Sequence, residues 1–221
     1  MQSKNMMFNM IDDTINCLSN LRQSKTSLAC IEELSKDIRN IIYNDGTIYL
    51  TGIGKPGYIA QKQAATLKSI MVDGQYIDAT LAGHGDLGPI PVNKPSLLIA
   101  MSKSGCSSEL YKLFDVVKQL RPMCKVVMIC MSNDVQLNTV MSCINIDSIC
   151  RITIDPKELD GYGIVPTTSN VMFEVVMSMA ISNAFDCEEL GMKNMCERLK
   201  MSHPSGTLYN KVSRLLENFE N

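Results

Sequence analysis

The chain has 221 residues, 45% hydrophobic and 20% charged, with a formal net charge of −2. That allows one large core and leaves too little basic charge for a nucleic-acid face. No apolar stretch approaches the ~18 residues of a membrane span, and no charged-then-apolar leader opens the chain, so a cytoplasmic protein without a membrane partner is expected.

Two helical patterns come first. One covers roughly residues 5–22, with Met7, Ile11, Ile15 and Leu18 expected on its buried face. The second runs from about Thr26 to Tyr43, with Leu28, Ile31, Leu34, Ile38 and Ile41 repeating every three or four residues. Asn44-Asp45-Gly46 reads as a turn. From there strands and helices alternate. A strand spans Thr47 to Ile53, a helix follows from about Pro56 to Val72, and a short strand spans Gln75 to Ala79. Ser96 to Ser102 is the next strand, and Leu110, Leu113, Val116, Val117 and Leu120 then trace a helix. Lys125 to Met131 is an unbroken apolar run, as expected of a strand buried on both faces. Another strand covers Ile149 to Ile154, and Asn170 to Phe185 is apolar nearly all round, so a buried helix is expected. This order predicts one α/β domain with a parallel sheet and helices on both faces. Residues 1–45 would form the N-terminal helices and 46–215 the α/β core. Ligands of such sheets sit off the carboxyl ends of the strands.

The nine cysteines are odd in number and form no Cys-x-x-Cys pair. Several lie inside apolar runs, where cysteine acts as a small hydrophobe, so a reducing compartment and no disulfide framework are expected. Sixteen methionines read as core filler rather than metal ligands.

The most telling segment is Ser102-Lys103-Ser104-Gly105-Cys106-Ser107-Ser108-Glu109, between a strand and a helix. Such a loop aims hydroxyls and backbone N–H groups at one spot on the positive end of a helix dipole. Its spacing is not that of a P-loop, so a phosphorylated small molecule is the expected guest. Lys55 closes Gly52-Ile53-Gly54-Lys55 at the end of the first strand. It reads equally well as a cation for a phosphate or as a solvated turn lysine. Glu109 opens a helix, where an acidic residue is favoured by the dipole alone. Glu158, in Asp155-Pro156-Lys157-Glu158, reads as an exposed loop carboxylate. The two histidines, His84 and His203, lie in loops and form no metal-ligand cluster.

Further segments join these: Ala64-Ala65-Thr66, His84-Gly85-Asp86-Leu87-Gly88, Pro166-Thr167-Thr168-Ser169 and Ser202-His203-Pro204-Ser205-Gly206. Together, in this order, they resemble the sugar isomerase (SIS) domain, and more narrowly its arabinose-5-phosphate isomerases, over roughly residues 30–215. The resemblance implies a flavodoxin-like five-stranded parallel sheet and a homotetramer whose neighbouring subunits complete each site. It implies interconversion of D-ribulose 5-phosphate and D-arabinose 5-phosphate through an enediol, feeding Kdo synthesis, with no metal or organic cofactor. The catalytic set falls on Lys55, Glu109, Glu158 and His203. Gly54, Thr66, His84, Ser102, Ser104, Ser107, Thr167 and Thr168 would bind the substrate and its phosphate. Glu158 is preferred to His203 as the base at C2. Both read as loop-borne, so substitutions there would shift stability within ~0.5 kcal/mol. A sugar-phosphate sensor without turnover, and an isomerase for a longer sugar phosphate, are the alternatives.

The chain departs from the family pattern at four places. Pro56 replaces a serine, Cys106 a glutamate and Ser205 a glycine, and Asp160-Gly161-Tyr162-Gly163 stands where Cys-Pro-Leu-Gly is usual. The chain stops about fifteen residues after Ser-His-Pro-Ser-Gly, so the paired CBS modules of many relatives are expected to be absent.

Overall fold

The structure is a computed structural model, and it describes residues 2–131, 144–158, 165–187 and 190–220. Cys143 and Asp160–Gly163 lie outside the described residues. The elements are α1 (Gln2–Gln23), α2 (Lys25–Tyr43), β1 (Thr47–Gly52), α3 (Lys55–Ser69) and β2 (Gly74–Tyr76). A 3₁₀ turn at Ala82–His84 precedes β3 (Ser96–Met101), α4 (Ser108–Leu120), β4 (Cys124–Cys130) and β5 (Ser148–Arg151). Three helices close the chain: α5 (Thr167–Ala184), α6 (Met192–Ser202) and α7 (Gly206–Glu220). All strand pairs are parallel, in the order β2-β1-β3-β4-β5, which is the expected flavodoxin-like sheet.

Every residue of β1 and β3 is buried, and alternate side chains feed two cores. Ile48, Leu50, Leu97 and Ile99 enter the core beneath α1, α2, α3 and α5. Tyr49, Leu98 and Ala100 enter the core beneath α4 and residues 77–90. The expected buried helix is α5: Met172, Phe173, Val176, Met177, Ala180 and Ile181 are all buried in the first core. It packs against α2, α3 and α1.

Of the face expected for α1, Leu18 is half-buried against the first core and the Met7 side chain lies outside the described residues, but the buried stripe is a neighbouring one. Ile11 and Ile15 are exposed, along with Phe8, while Asp13, Cys17 and Leu21 are buried. The reason is polar. Thr14 hydrogen-bonds Thr168 on α5, and Asp13 accepts the backbone N–H of Glu158, which rotates the helix onto its 13-17-21 stripe. Phe8, Ile11 and Ile15 are thereby left as an exposed apolar stripe among the described residues.

The turn from β1 into α3 sets the edge of the candidate site. A Cβ on Gly57 would come within 2.6 Å of the Gly52 carbonyl oxygen, so only glycine lets α3 start this close to the strand. Gly54 takes φ +66°, a left-handed value suited to glycine. Pro56 then falls in the first turn of α3, where a missing N–H leaves no helical bond unmade. Among the described residues, no helix is long and apolar enough to cross a membrane.

Candidate active site

β1 and β3 lie side by side, and the chain turns opposite ways beyond them: α3 and β2 to one side, α4 and β4 to the other. A crevice opens at such a switch point, off the carboxyl ends of the two strands. Gly54 and Lys55 form one lip and residues 102–108 the other. The first residues of α3 and of α4 both begin here, so two helix N-termini bring partial positive charge to one place.

The serine loop is built by its own hydroxyls. Ser102, at 5% exposure, accepts the Gly105 N–H at 3.1 Å and lies 3.5 Å from the Ser107 hydroxyl. The Ser104 hydroxyl is exposed and accepts the Cys106 N–H at 3.2 Å. Tyr111 donates its hydroxyl to the Gly105 carbonyl and pins the loop from α4. Ser102 and Ser104 can each rotate a proton outward while keeping the N–H they accept, so the loop presents donors to an anion without refolding. Ser104→Ala removes the exposed one of these donors. It is expected to raise KM for a phosphorylated substrate by roughly tenfold, as a hydrogen bond to a charged group does, with little change in kcat. Steady-state kinetics separates the two.

Lys55 and Glu109 are exposed, one at each lip, and Ser108 donates to the Glu109 carboxylate at 3.3 Å. Glu158 differs from expectation: it is 3% exposed, not a surface carboxylate. Its Oε2 accepts the Thr168 N–H at 2.9 Å, and its Oε1 accepts the Ser169 N–H at 3.0 Å. Glu158 therefore caps α5 from outside the helix. Lys103 approaches the same Oε1 at 3.4 Å, and the backbone of Glu158 is held at φ +54° by Asp13. Burial first, and then the charge of Asp13, push the nearby Cys17 thiol up to about 11.

The remaining expected residues scatter. Thr167 is half-buried at the start of α5, and Thr168 turns its hydroxyl to Thr14 rather than to the crevice. Thr66 donates back to the Lys62 carbonyl in the fourth turn of α3, about 16 Å along the helix from Lys55. His84 is exposed in the 3₁₀ turn. His203 ends α6, where its Nδ1 lies 3.0 Å from the Leu199 carbonyl and from the Ser202 hydroxyl. Ser202 in turn donates to the Ser69 carbonyl at the far end of α3. Lys55 opens the fifteen-residue α3 and His203 lies by Ser69 at its other end, and the helix between them rises about 21 Å at 1.5 Å per residue. One protomer gathers Lys55, Glu109 and the serines at the crevice and leaves His203 beside the far end of α3.

Two residues of the site escaped the sequence reading. Asp13 carried a faint signal, an acid four residues before Cys17 and eight before Leu21 on what proves to be a buried stripe. Lys103 carried none, because a lysine in a serine-rich loop is ordinarily solvated.

No protein-family model matches the chain. An arabinose 5-phosphate isomerase of Yersinia pestis is 31% identical over 186 residues, which is 82% of this chain and 51% of that protein. The isomerase of the same name from Francisella tularensis is 30% identical over 216 residues, 93% of this chain and 57% of that one. The chain therefore spans about half the length of the curated relatives it matches. Among solved structures, a proposed phosphosugar isomerase involved in capsule formation from Bacteroides fragilis superposes with a TM-score of 0.71 at 23% identity. The match covers 89% of this chain and 96% of that one. An Escherichia coli CFT073 protein in complex with arabinose 5-phosphate superposes with a TM-score of 0.65 at 22% identity, covering 83% and 90%. The chain has the α/β fold of the SIS phosphosugar isomerases, and in sequence it is a homologue of the arabinose 5-phosphate isomerases.

Proposed function

We propose that the protein interconverts D-ribulose 5-phosphate and D-arabinose 5-phosphate. The observation that carries this reading is the crevice between β1 and β3, where a hydroxyl-lined loop on a helix N-terminus adjoins Lys55 and Glu109. The sequence relatives act on arabinose 5-phosphate, and their name supplies the substrate class.

In this mechanism the serine loop and the α4 N-terminus hold the 5-phosphate, and Lys55 adds a point charge. Glu158 takes the C2 proton of the aldose. Its Oε1 is committed to Ser169 and Lys103, while Oε2, bonded once among the described residues, to Thr168, keeps a lone pair. A cis-enediol forms, and the proton is returned at C1. Glu109 and His203 move the protons on O1 and O2. His203 comes from a second copy, because one protomer holds it beside the far end of α3, a helix about 21 Å long that starts at Lys55. A closed homotetramer with shared sites satisfies this need. It would also give the exposed Phe8, Ile11 and Ile15 stripe a surface to cover. The product would serve Kdo synthesis in the cytoplasm.

A panel of ketose phosphates with five, six and seven carbons, followed by proton NMR, tests the substrate. The largest kcat/KM is expected on ribulose 5-phosphate. A larger value on a longer sugar would assign another isomerisation to this fold.

A further inference from the structure

The serine loop contains a cation that does not face the anion it would be expected to bind. Lys103 sits between Ser102 and Ser104. Its carbonyl accepts the Met131 N–H at 2.9 Å, which ties the loop to the end of β4. Its side chain then reaches past β4 to the segment after β5. There the ammonium donates to the Pro156 carbonyl at 2.9 Å and lies 3.4 Å from Glu158 Oε1. Two of its three N–H donors are thereby directed at the segment that carries Glu158. The other donors to that carboxylate are the N–H groups of Thr168 and Ser169, and Asp13 faces the Glu158 backbone. Among the described residues, Lys103 is the one side chain that joins the serine loop to this group.

We infer that Lys103 is a positioning residue: it holds Glu158 in register with the serine loop, so that seating the phosphate also sets the distance from the base to C2. The inference rests on the isomerase reading above. It spends binding energy from the non-reacting end of the substrate on geometry at the reacting end. A lysine that bound phosphate would act on KM. A lysine that places a base acts on kcat.

The test is steady-state kinetics of Lys103→Met on ribulose 5-phosphate, with inorganic phosphate as a competitive inhibitor. The expected result is a fall in kcat of ~10²-fold, with KM and the phosphate inhibition constant changed by less than about threefold. Lys103→Arg, which restores a cation, should regain most of the lost kcat. Lys103→Gln keeps a donor for Pro156 but no charge, and it should behave like Lys103→Met. It also serves as the second uncharged variant should Lys103→Met fail to fold. An unchanged kcat in an active background would overturn the role of Lys103 alone. So would a rise in KM and in the phosphate constant at constant kcat, which would make Lys103 a phosphate ligand. A wild-type protein that binds phosphate but turns over no ribulose 5-phosphate would overturn the isomerase reading, and this role with it.

Discussion

Replacing Glu158 with glutamine is expected to cost the protein both turnover and stability. The carboxylate is 3% exposed, and each of its oxygens accepts a backbone N–H of α5. An amide can satisfy only one of those N–H groups. Its NH2 must face the other donor, or Lys103, at close range. Breaking a buried, hydrogen-bonded charge in this way costs about 3 kcal/mol. At roughly 2–4 °C per kcal/mol for a domain of this size, the melting temperature should fall by about 6–12 °C. Assayed well below that transition, kcat should fall by ~10²-fold or more, the usual scale for loss of a general base. Calorimetry and kinetics on one preparation give both numbers. If the melting temperature drops and kcat is unchanged, Glu158 is a helix cap only, and the base is Glu109 or His203.

The second large effect concerns assembly. Lys55→Ala and His203→Ala should each lower kcat by ~10²-fold or more, because each removes one member of the acid–base and charge set. Lys55 opens α3 and His203 lies by Ser69 at its other end, so a site using both must draw them from two copies. When the two variants are co-expressed and mix at random, about a quarter of the shared sites receive both native residues. Activity of the mixture should rise to about that fraction of wild type, far above either parent. A mixture no more active than its parents would mean that no site draws the two residues from different copies, and would refute the shared site.

Much of the fold could be read from runs of residues, because strands buried on both faces leave an unbroken apolar signature. Leu97 to Met101 and Val126 to Cys130 are of that kind, and both are fully buried strands. The serine loop was legible for a related reason: its chemistry is local, and the flanking strand and helix fix where it points. What failed to show was long-range. Glu158 looks exposed in sequence because the N–H groups that bury it lie ten and eleven residues on, and only the packing of α5 brings them back. The face of α1 was misread for the same reason. Ile11 and Ile15 outweigh Asp13 in hydrophobicity, but Asp13 has a buried N–H to accept. α6 and α7 gave no clear pattern, since each buries a single side chain against the protomer, Cys196 and Val212. His203 was readable as a site residue only through its motif. Its distance from Lys55 is a property of α3, not of any local spacing.

In the proposed reaction this crevice moves a proton between adjacent carbons of a five-carbon sugar phosphate. Turnover of ribulose 5-phosphate in heavy water, followed by proton NMR, is the test. Ketose-to-aldose conversion through an enediol removes a proton from C1 and returns one at C2. Arabinose 5-phosphate should appear with solvent deuterium at C2, seen as loss of the C2 proton signal and collapse of its coupling to C1. Ribulose 5-phosphate that raises the melting temperature of the protein, yet yields no arabinose 5-phosphate over many hours, would rule out the isomerase and make the protein a binder of sugar phosphates.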